Sequence, residues 1–359
     1  MHRQFDTPLR IAASGMLALA LAACSGGAAS SSAPSAAASA AAPAGAGASE
    51  VPSAAPASAA PAASGQALQS VSLATLGPSS LLWLHAIANA EGFYAQHGVQ
   101  VTTIQIQSSS TLVQAVASGS ADAGISLGDN VISAVNQGAS IVISGVILQK
   151  AALRLYGASN IKTIAALKGT KVTAGAVSGG TADLLLYQLQ QAGVSKSDLQ
   201  MLALTNSSDR VVALKDNQVQ GALLIPPFDT LAVADGANYL GWYNKPYIET
   251  PLIVNVAWAK AHAAAAQGVT QALAEAAAWV YRPANASAAE QILSKYTNAS
   301  ATAAADAYKF LVTDGQVISP NLQLDPGGLQ DIVDIAAAVG DGTQTTLQTS
   351  KYYDPSYLK

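Results

Sequence analysis

Cysteine is almost missing from this chain: its 359 residues hold one, Cys24. A single thiol excludes any disulfide within the chain and any metal centre built on paired cysteines. Charge is sparse too, at 11% of residues, with 17 Lys and Arg against 21 Asp and Glu and a formal net charge of -4. No basic cluster could neutralise a run of phosphates, so no nucleic-acid partner is expected. The four histidines, His2, His85, His97 and His262, are scattered without ligand-like spacing, so neither a metal nor another cofactor is implied. The lysine of a phosphate-binding P-loop and the spacing of a dinucleotide-binding loop are both missing, and no Gly-x-Ser-x-Gly nucleophile elbow is expected. Half of the residues are nonetheless hydrophobic, which is enough for a sizeable core.

The N-terminus has the layout of an export signal. Arg3 and Arg10 precede an apolar stretch, 11–23, that is too short to span a bilayer, which needs roughly 20 apolar residues. It closes on Leu21-Ala22-Ala23-Cys24, which resembles the bacterial lipobox; that resemblance implies a signal peptide over 1–23 and a lipid on the sulfur of Cys24. An ordinary secretory signal with an incidental cysteine is the other reading. Residues 24–66 are nearly all Ala, Ser, Pro and Gly, cannot bury enough apolar area to offset backbone ordering, and read as a disordered tether.

Beyond the tether the pattern alternates. Short apolar runs at 70–76, 99–106, 123–127 and 141–148 read as strands, separated by helices over 80–90, 111–118 and 130–136. A second series places strands at 171–177, 201–204 and 221–225 and helices at 181–191 and 209–215, followed by a strand at 252–256. Helices are expected over 269–281, 288–296, 303–312 and 329–339. Such alternation predicts an α/β chain with two mostly parallel sheets and a helical C-terminal part. The two series also match without gaps. Ser109-Ser110-Thr111 aligns with Ser207-Ser208-Asp209, Val113 with Val211, Ala115 with Ala213 and Ile125 with Leu223. Chance similarity between two βα units is the alternative to lobes of like construction.

In open α/β sheets ligands bind beyond the carboxyl ends of strands, where helix N-termini present unpaired N–H groups. Six loops qualify: Ser79-Ser80, Ser108-Ser109, Asp129-Asn130, Ser178 with Gly180-Thr181, Asn206, and the loop before Phe228. Each Ser, Asp or Asn among them could instead simply cap its helix, and Trp83 and Phe228 could stack on a solute or pack in the core. None of these loops carries Lys or Arg. Asp129 would suit an amine or ring N–H, which favours an organic solute over a bare inorganic anion.

Four motifs, in order, resemble one family. They are Ala90-Glu91-Gly92-Phe93-Tyr94 with Gly98-Val99, Gly119-Ser120-Ala121-Asp122-Ala123-Gly124, Leu167-Lys168-Gly169-Thr170-Lys171-Val172, and Ala213-Leu214 leading to Gln218-Val219-Gln220-Gly221-Ala222. The chain resembles the solute-binding proteins of ABC importers for nitrate, sulfonates, taurine and pyrimidine precursors; the family's Asp in the last motif is Gln220 here. The resemblance implies a type II periplasmic-binding-protein-like fold, two mixed sheets joined by a two-strand hinge at 153–158 and 247–254. Lobe I would comprise 67–155 plus 251–345, lobe II 156–250, and a tail 346–359. It further implies a monomeric, non-enzymatic, lipid-anchored protein that delivers solute to a permease and its ATPase. A ligand sensor subunit, or a pyrimidine-synthesis enzyme of the same fold, is the alternative; the latter depends on cysteines that this chain lacks.

Overall fold

A computed structural model describes residues 67–359, so the expected signal peptide, tether and lipidation site at Cys24 lie outside the described residues. From there β1 (Gln69–Thr75) leads through a 3-10 turn, Ser80–Leu82, into α1 (Trp83–Ala90) and α2 (Phe93–Gln96). The βα alternation continues with β2 (Val99–Gln105), α3 (Ser109–Ala117), β3 (Ala123–Ile125), α4 (Gly128–Asn136) and β4 (Ile141–Lys150). The chain then crosses into β5 (Arg154–Gly157), β6 (Lys171–Thr173), α5 (Gly180–Gln191), β7 (Gln200–Met201), α6 (Ser207–Lys215), β8 (Gly221–Leu224), α7 (Phe228–Ala234) and β9 (Asn238–Trp242). It returns along β10 (Pro246–Asn255).

Two five-stranded sheets result, ordered β2-β1-β3-β10-β4 and β7-β6-β8-β5-β9. In each, the fourth strand in the order runs against its neighbours: β10 is antiparallel to β3 and β4, and β5 to β8 and β9. The other pairings, β1 with β2 and β3, and β6 with β7 and β8, are parallel. The sheets therefore share one topology, and each takes its reversed strand from a crossing segment. The internal match follows this symmetry, since α3 starts at Ser109 and α6 at Ser207, and β3 at Ala123 and β8 at Gly221, the same offset both times.

Sheet membership moves the lobe boundaries. β5 joins the second sheet from Arg154, two residues before the expected start at 156. Residues 246–250 pair with β4 of the first sheet, with Pro246 opposite Lys150, so they belong to lobe I rather than lobe II. The hinge is thus residues 151–153 and the approach to Pro246.

Everything after β10 belongs to lobe I: α8 (Val256–Ala261), α9 (Ala263–Val280), α10 (Ala286–Thr297), α11 (Ala301–Tyr308) with a π-helical continuation over Lys309–Asp314, and α12 (Pro326–Ala338). α9 turns a stripe of small residues, Ala265, Ala266, Ala272, Ala276 and Ala277, into the core, which lets its backbone approach α1 closely. The segment 346–359 is no free tail. Tyr352 is buried, and Ile143 N–H donates to the Tyr352 carbonyl (2.8 Å) while Asp354 N–H donates to the Ile143 carbonyl (3.1 Å). With residues 317–322 bonded to the same strand, this covers the outer edge of β4, which would otherwise expose unpaired N–H and C=O groups.

Candidate functional site

The lobes meet where α5 of lobe II packs against α4 and α12 of lobe I. Asp129, in the first turn of α4, accepts a hydrogen bond from Gly180 N–H, the first residue of α5, at 2.9 Å. Its same oxygen also accepts from Asn130 Nδ2 (2.9 Å). One residue earlier, Gly179 N–H donates to Asp341 Oδ2, just beyond α12, at 3.2 Å. The first N–H groups of a helix have no partner within it and carry a partial positive charge, so lobe I supplies carboxylates for what α5 of lobe II leaves unpaired. Only glycine permits this approach: a Cβ on Gly180 would stand 2.7 Å from Asp129 Cγ. Tyr247 adds an O–H contact to the Gly180 carbonyl at 3.5 Å, and the Tyr243 hydroxyl donates to Asp331 Oδ2 of α12 at 2.7 Å. The lobes are closed on one another.

Around this junction lie buried polar groups with unmet bonding capacity. Glu249, on the crossing end of β10, is 3% exposed and its Oε2 has no partner. Burial, and then the charge of Asp129, push its carboxyl up to about 8, while Arg210 opposes them. Arg210, on α6, is 5% exposed with an unpartnered Nε; one terminal nitrogen donates to Ser207 Oγ, and another lies against Gly175. Burial lowers it to about 10, opposed by the charges of Glu249 and Asp209. Asp183 of α5 is buried, has an unpartnered Oδ1, and is raised to about 7 by burial and then by Asp341. The hydroxyls of Ser80, after β1, and Thr250, beside Glu249, are buried without partners as well. More than nine in ten buried polar groups in native proteins are hydrogen-bonded, so Glu249, Arg210 and Asp183, coupled by charge to Asp129 or to one another, mark this junction as the candidate site.

The sequence-named residues divide into those the fold brings to this junction and those it uses elsewhere. Asp129 and Gly180 meet at the junction of the lobes, Asn130 supports Asp129, and Thr181 follows Gly180 in the first turn of α5; Ser80 is buried with no partner for its hydroxyl. Ser79 is buried beside Ser80 and makes no cap bond. The Ser109 hydroxyl lies 2.7 Å from that of Ser126 and accepts from Leu127 N–H (3.1 Å), which ties α3 to the turn before α4. Ser108 is a helix cap, its Oγ accepting from Thr111 N–H at 3.2 Å. Ser178 and Asn206 are exposed, and Asn206 donates to Asp209 rather than capping α6. Phe228 packs against the lobe II core. Trp83 is fully buried, its indole N–H donated to the Ala289 carbonyl (3.0 Å) and its ring edge-on to Tyr308, so it is a core residue of lobe I and no stacking surface. Gln220 bonds the turn at Asn217 (2.9 Å).

Residues 124–128, Gly-Ile-Ser-Leu-Gly, do carry the spacing of a serine nucleophile elbow, and they occupy a strand-to-helix turn. The hydroxyl of Ser126 is shared with Ser109, however, and no base accepts its proton. His85 is elsewhere in the lobe I core, bonded to Tyr94 and Asn89, and burial lowers it to about 4. Among the described residues no group of three or more His, Cys, Asp or Glu could hold a metal. A cavity of 430 Å³ between Asn136, Leu347 and Tyr352 lies at the opposite end of α4 from Asp129, so it is no part of the crevice.

Two lobes of one topology, exchanging a strand each and closing over a polar crevice, define the periplasmic-binding-protein fold. The chain belongs to the NMT1/THI5 like family, whose profile matches residues 85–286. No curated protein matches it. Solved structures match the fold at low identity. The alkanesulfonate-binding protein SsuA from Xanthomonas axonopodis pv. citri, bound to MOPS, is 17% identical with a TM-score of 0.65, covering 80% of this chain and 99% of its own. The periplasmic nitrate-binding protein NrtA from Synechocystis PCC 6803 is 16% identical with a TM-score of 0.63, covering 79% and 84%. A Candida albicans gene product with the generic periplasmic binding protein fold, CA3427, is 14% identical with a TM-score of 0.59, covering 78% and 97%.

Proposed function

We propose that this chain is an extracytoplasmic solute-binding protein that captures a small polar organic solute between its lobes and delivers it to the permease and ATPase of an ABC importer, without converting it. The export signal and Leu21-Ala22-Ala23-Cys24 support anchoring as a lipoprotein, with residues 24–66 as the tether and the mature protein a monomer. The observation that carries the reading is the crevice itself: groups from both lobes converge there, and several of them are buried without partners. A solute docked on one lobe would complete its contacts only when the other closes, so binding shifts the population toward the closed form. That sulfonate- and nitrate-binding proteins share this fold supports the transport reading and directs the ligand screen.

The test is a thermal-shift screen of the full folded chain against sulfonates, taurine, other amino acids, pyrimidines and nitrate. A ligand at 100 times its Kd stabilises the protein by about 2.7 kcal/mol, a clear shift in Tm. Asp129→Ala should weaken the binding of any hit at least tenfold and leave the solute-free Tm within a few degrees. A protein that no member of the panel stabilises would refute the reading, and a variant with unchanged affinity would remove Asp129 from the site.

A further inference from the structure

The most demanding groups in the crevice are an opposite pair. Arg210 and Glu249 come from different elements, α6 of lobe II and the crossing strand β10, and each is more than nine-tenths buried. Each retains an unpartnered atom, Nε of Arg210 and Oε2 of Glu249. They influence one another electrostatically but do not come within the 4.0 Å of an ion pair. A buried guanidinium and a buried carboxyl that lie near enough to influence one another without touching are an expensive arrangement, because each has given up water and received no full partner. The side chains around them do not supply it. Ser207 takes one guanidinium nitrogen, and Asp129, whose charge acts on Glu249, is of the same sign.

A solute that satisfies both groups must carry opposite charges itself. Resting on the solute-binding reading, we propose that Arg210 and Glu249 are a bipolar recognition pair that selects a short zwitterion, its acidic group on the guanidinium and its ammonium on the carboxyl. A bare anion would neutralise Arg210 but sit in a crevice that also holds Glu249 and Asp129. A bare cation would face Arg210. A molecule with both charges leaves nothing buried and uncompensated, and its amine is drawn to the end of the crevice that holds two carboxylates. The chemistry is shared by ω-amino carboxylates and aminosulfonates, and the two can be told apart by experiment.

The test compares whole and half molecules on the full folded chain by calorimetry. Taurine and β-alanine carry both charges; ethanesulfonate, propionate and ethylamine each lack one, and nitrate is a bare anion. The expected result is that taurine or β-alanine binds at least tenfold tighter than any half molecule or nitrate, the tighter of the two identifying the acidic group. Glu249→Gln, of nearly the same shape and uncharged, should lose at least tenfold on the zwitterion and bind the matching half-molecule anion no more weakly than the wild type. Arg210→Met should lose both. The wild-type comparison stands even if Arg210→Met fails to fold. Ethanesulfonate or nitrate binding as tightly as taurine, or a pyrimidine binding while both zwitterions fail, would overturn the pair as a zwitterion selector and leave solute binding intact. Failure of the entire screen would overturn both.

Discussion

The two lobes share a strand order but differ in how much they hold. In lobe I, β1 and β2 run seven residues each and β4 and β10 ten each, and α8 to α12 pack behind the sheet. In lobe II, no strand exceeds the five residues of β9, and β7 has two. Lobe I is therefore a platform held by many long-range contacts, and lobe II a lighter body whose stability leans on a few placed interactions. Their chemistry differs in the same sense. Lobe I brings carboxylates to the junction, Asp129, Asp341 and, from the crossing strand, Glu249; lobe II brings the N–H groups of Gly179 and Gly180 and the guanidinium of Arg210, with Asp183 its one buried carboxyl there. One topology thus yields two complementary faces, because the loops after equivalent strands carry different residues.

The largest expected effect probes what holds the lighter lobe. Arg154, the first residue of β5, pairs with Asp229 of α7, which is fully buried, and its guanidinium lies 4.1 Å from the centre of the Phe310 ring of lobe I. Arg154→Met should cost about 3–5 kcal/mol in urea unfolding, because it strands a buried carboxylate. Arg154→Met combined with Asp229→Leu should recover most of the loss. A cost below 1 kcal/mol for the single variant would mean that lobe II does not depend on this pair.

A smaller effect tests the carboxylate-rich junction. The Asp183 carboxyl of lobe II is raised from an ordinary value near 3.8 to about 7 by burial and by Asp341 and Asp129 of lobe I, with Lys196 opposing. The closed form therefore holds a proton that an open, rehydrated Asp183 would release. The contribution to closure is fully present below pH 4 and is lost as pH rises through about 7, by at most 1.4 kcal/mol per pH unit. Glu249, raised from 4.5 to about 8, acts with the same sign. The radius of gyration of the solute-free protein, measured by small-angle scattering, should be larger at pH 8.5 than at pH 5.5. Asp183→Asn should reduce the difference and leave the share due to Glu249; a wild-type radius independent of pH would break the account.

Much of this fold could be read from the residues, and the failures have physical causes. The apolar runs of β1 and β4 are legible because core strands read as near-continuous apolar stretches, and the helices that end at glycine because burial of one face imposes a period. β6 was expected to reach residue 177, but it ends at Thr173, where Gly175 adopts a φ of +109° and turns the chain outward to leave Val177 exposed. β9 was missed, since its residues, Asn-Tyr-Leu-Gly-Trp, are only half-buried and show no alternation. Of the groups at the lobe junction, the strand-end loops hold Asp129 and Gly180 but not Arg210 or Asp183. Both are the fourth residue of their helix, and helical side chains tilt toward the N-terminus, so a residue one turn inside reaches back to the crevice. That geometry was available from the sequence. Glu249 was not, because nothing local marks which residue of a crossing strand faces the gap.

The smallest effect separates the lobes at matched positions. Ser108 precedes α3 and Asn206 precedes α6, and both were candidates for solute contact or capping. In lobe I the cap is made, with Ser108 Oγ accepting from Thr111 N–H, whereas in lobe II Asn206 leaves the backbone alone and donates to Asp209 at 3.0 Å. Losing a capping side chain costs about 1 kcal/mol, and losing a solvent-exposed contact between two side chains costs a few tenths. Ser108→Ala should therefore lower the unfolding free energy by about 1 kcal/mol and Asn206→Ala by less than half of that, in urea titrations run side by side. Both side chains spend their polar atoms within their own helix start, on Thr111 and on Asp209, so neither variant should change the affinity for a solute. Equal losses from the two variants would show that the matched helices are capped alike, and a weakened affinity in either would place that loop in the site after all.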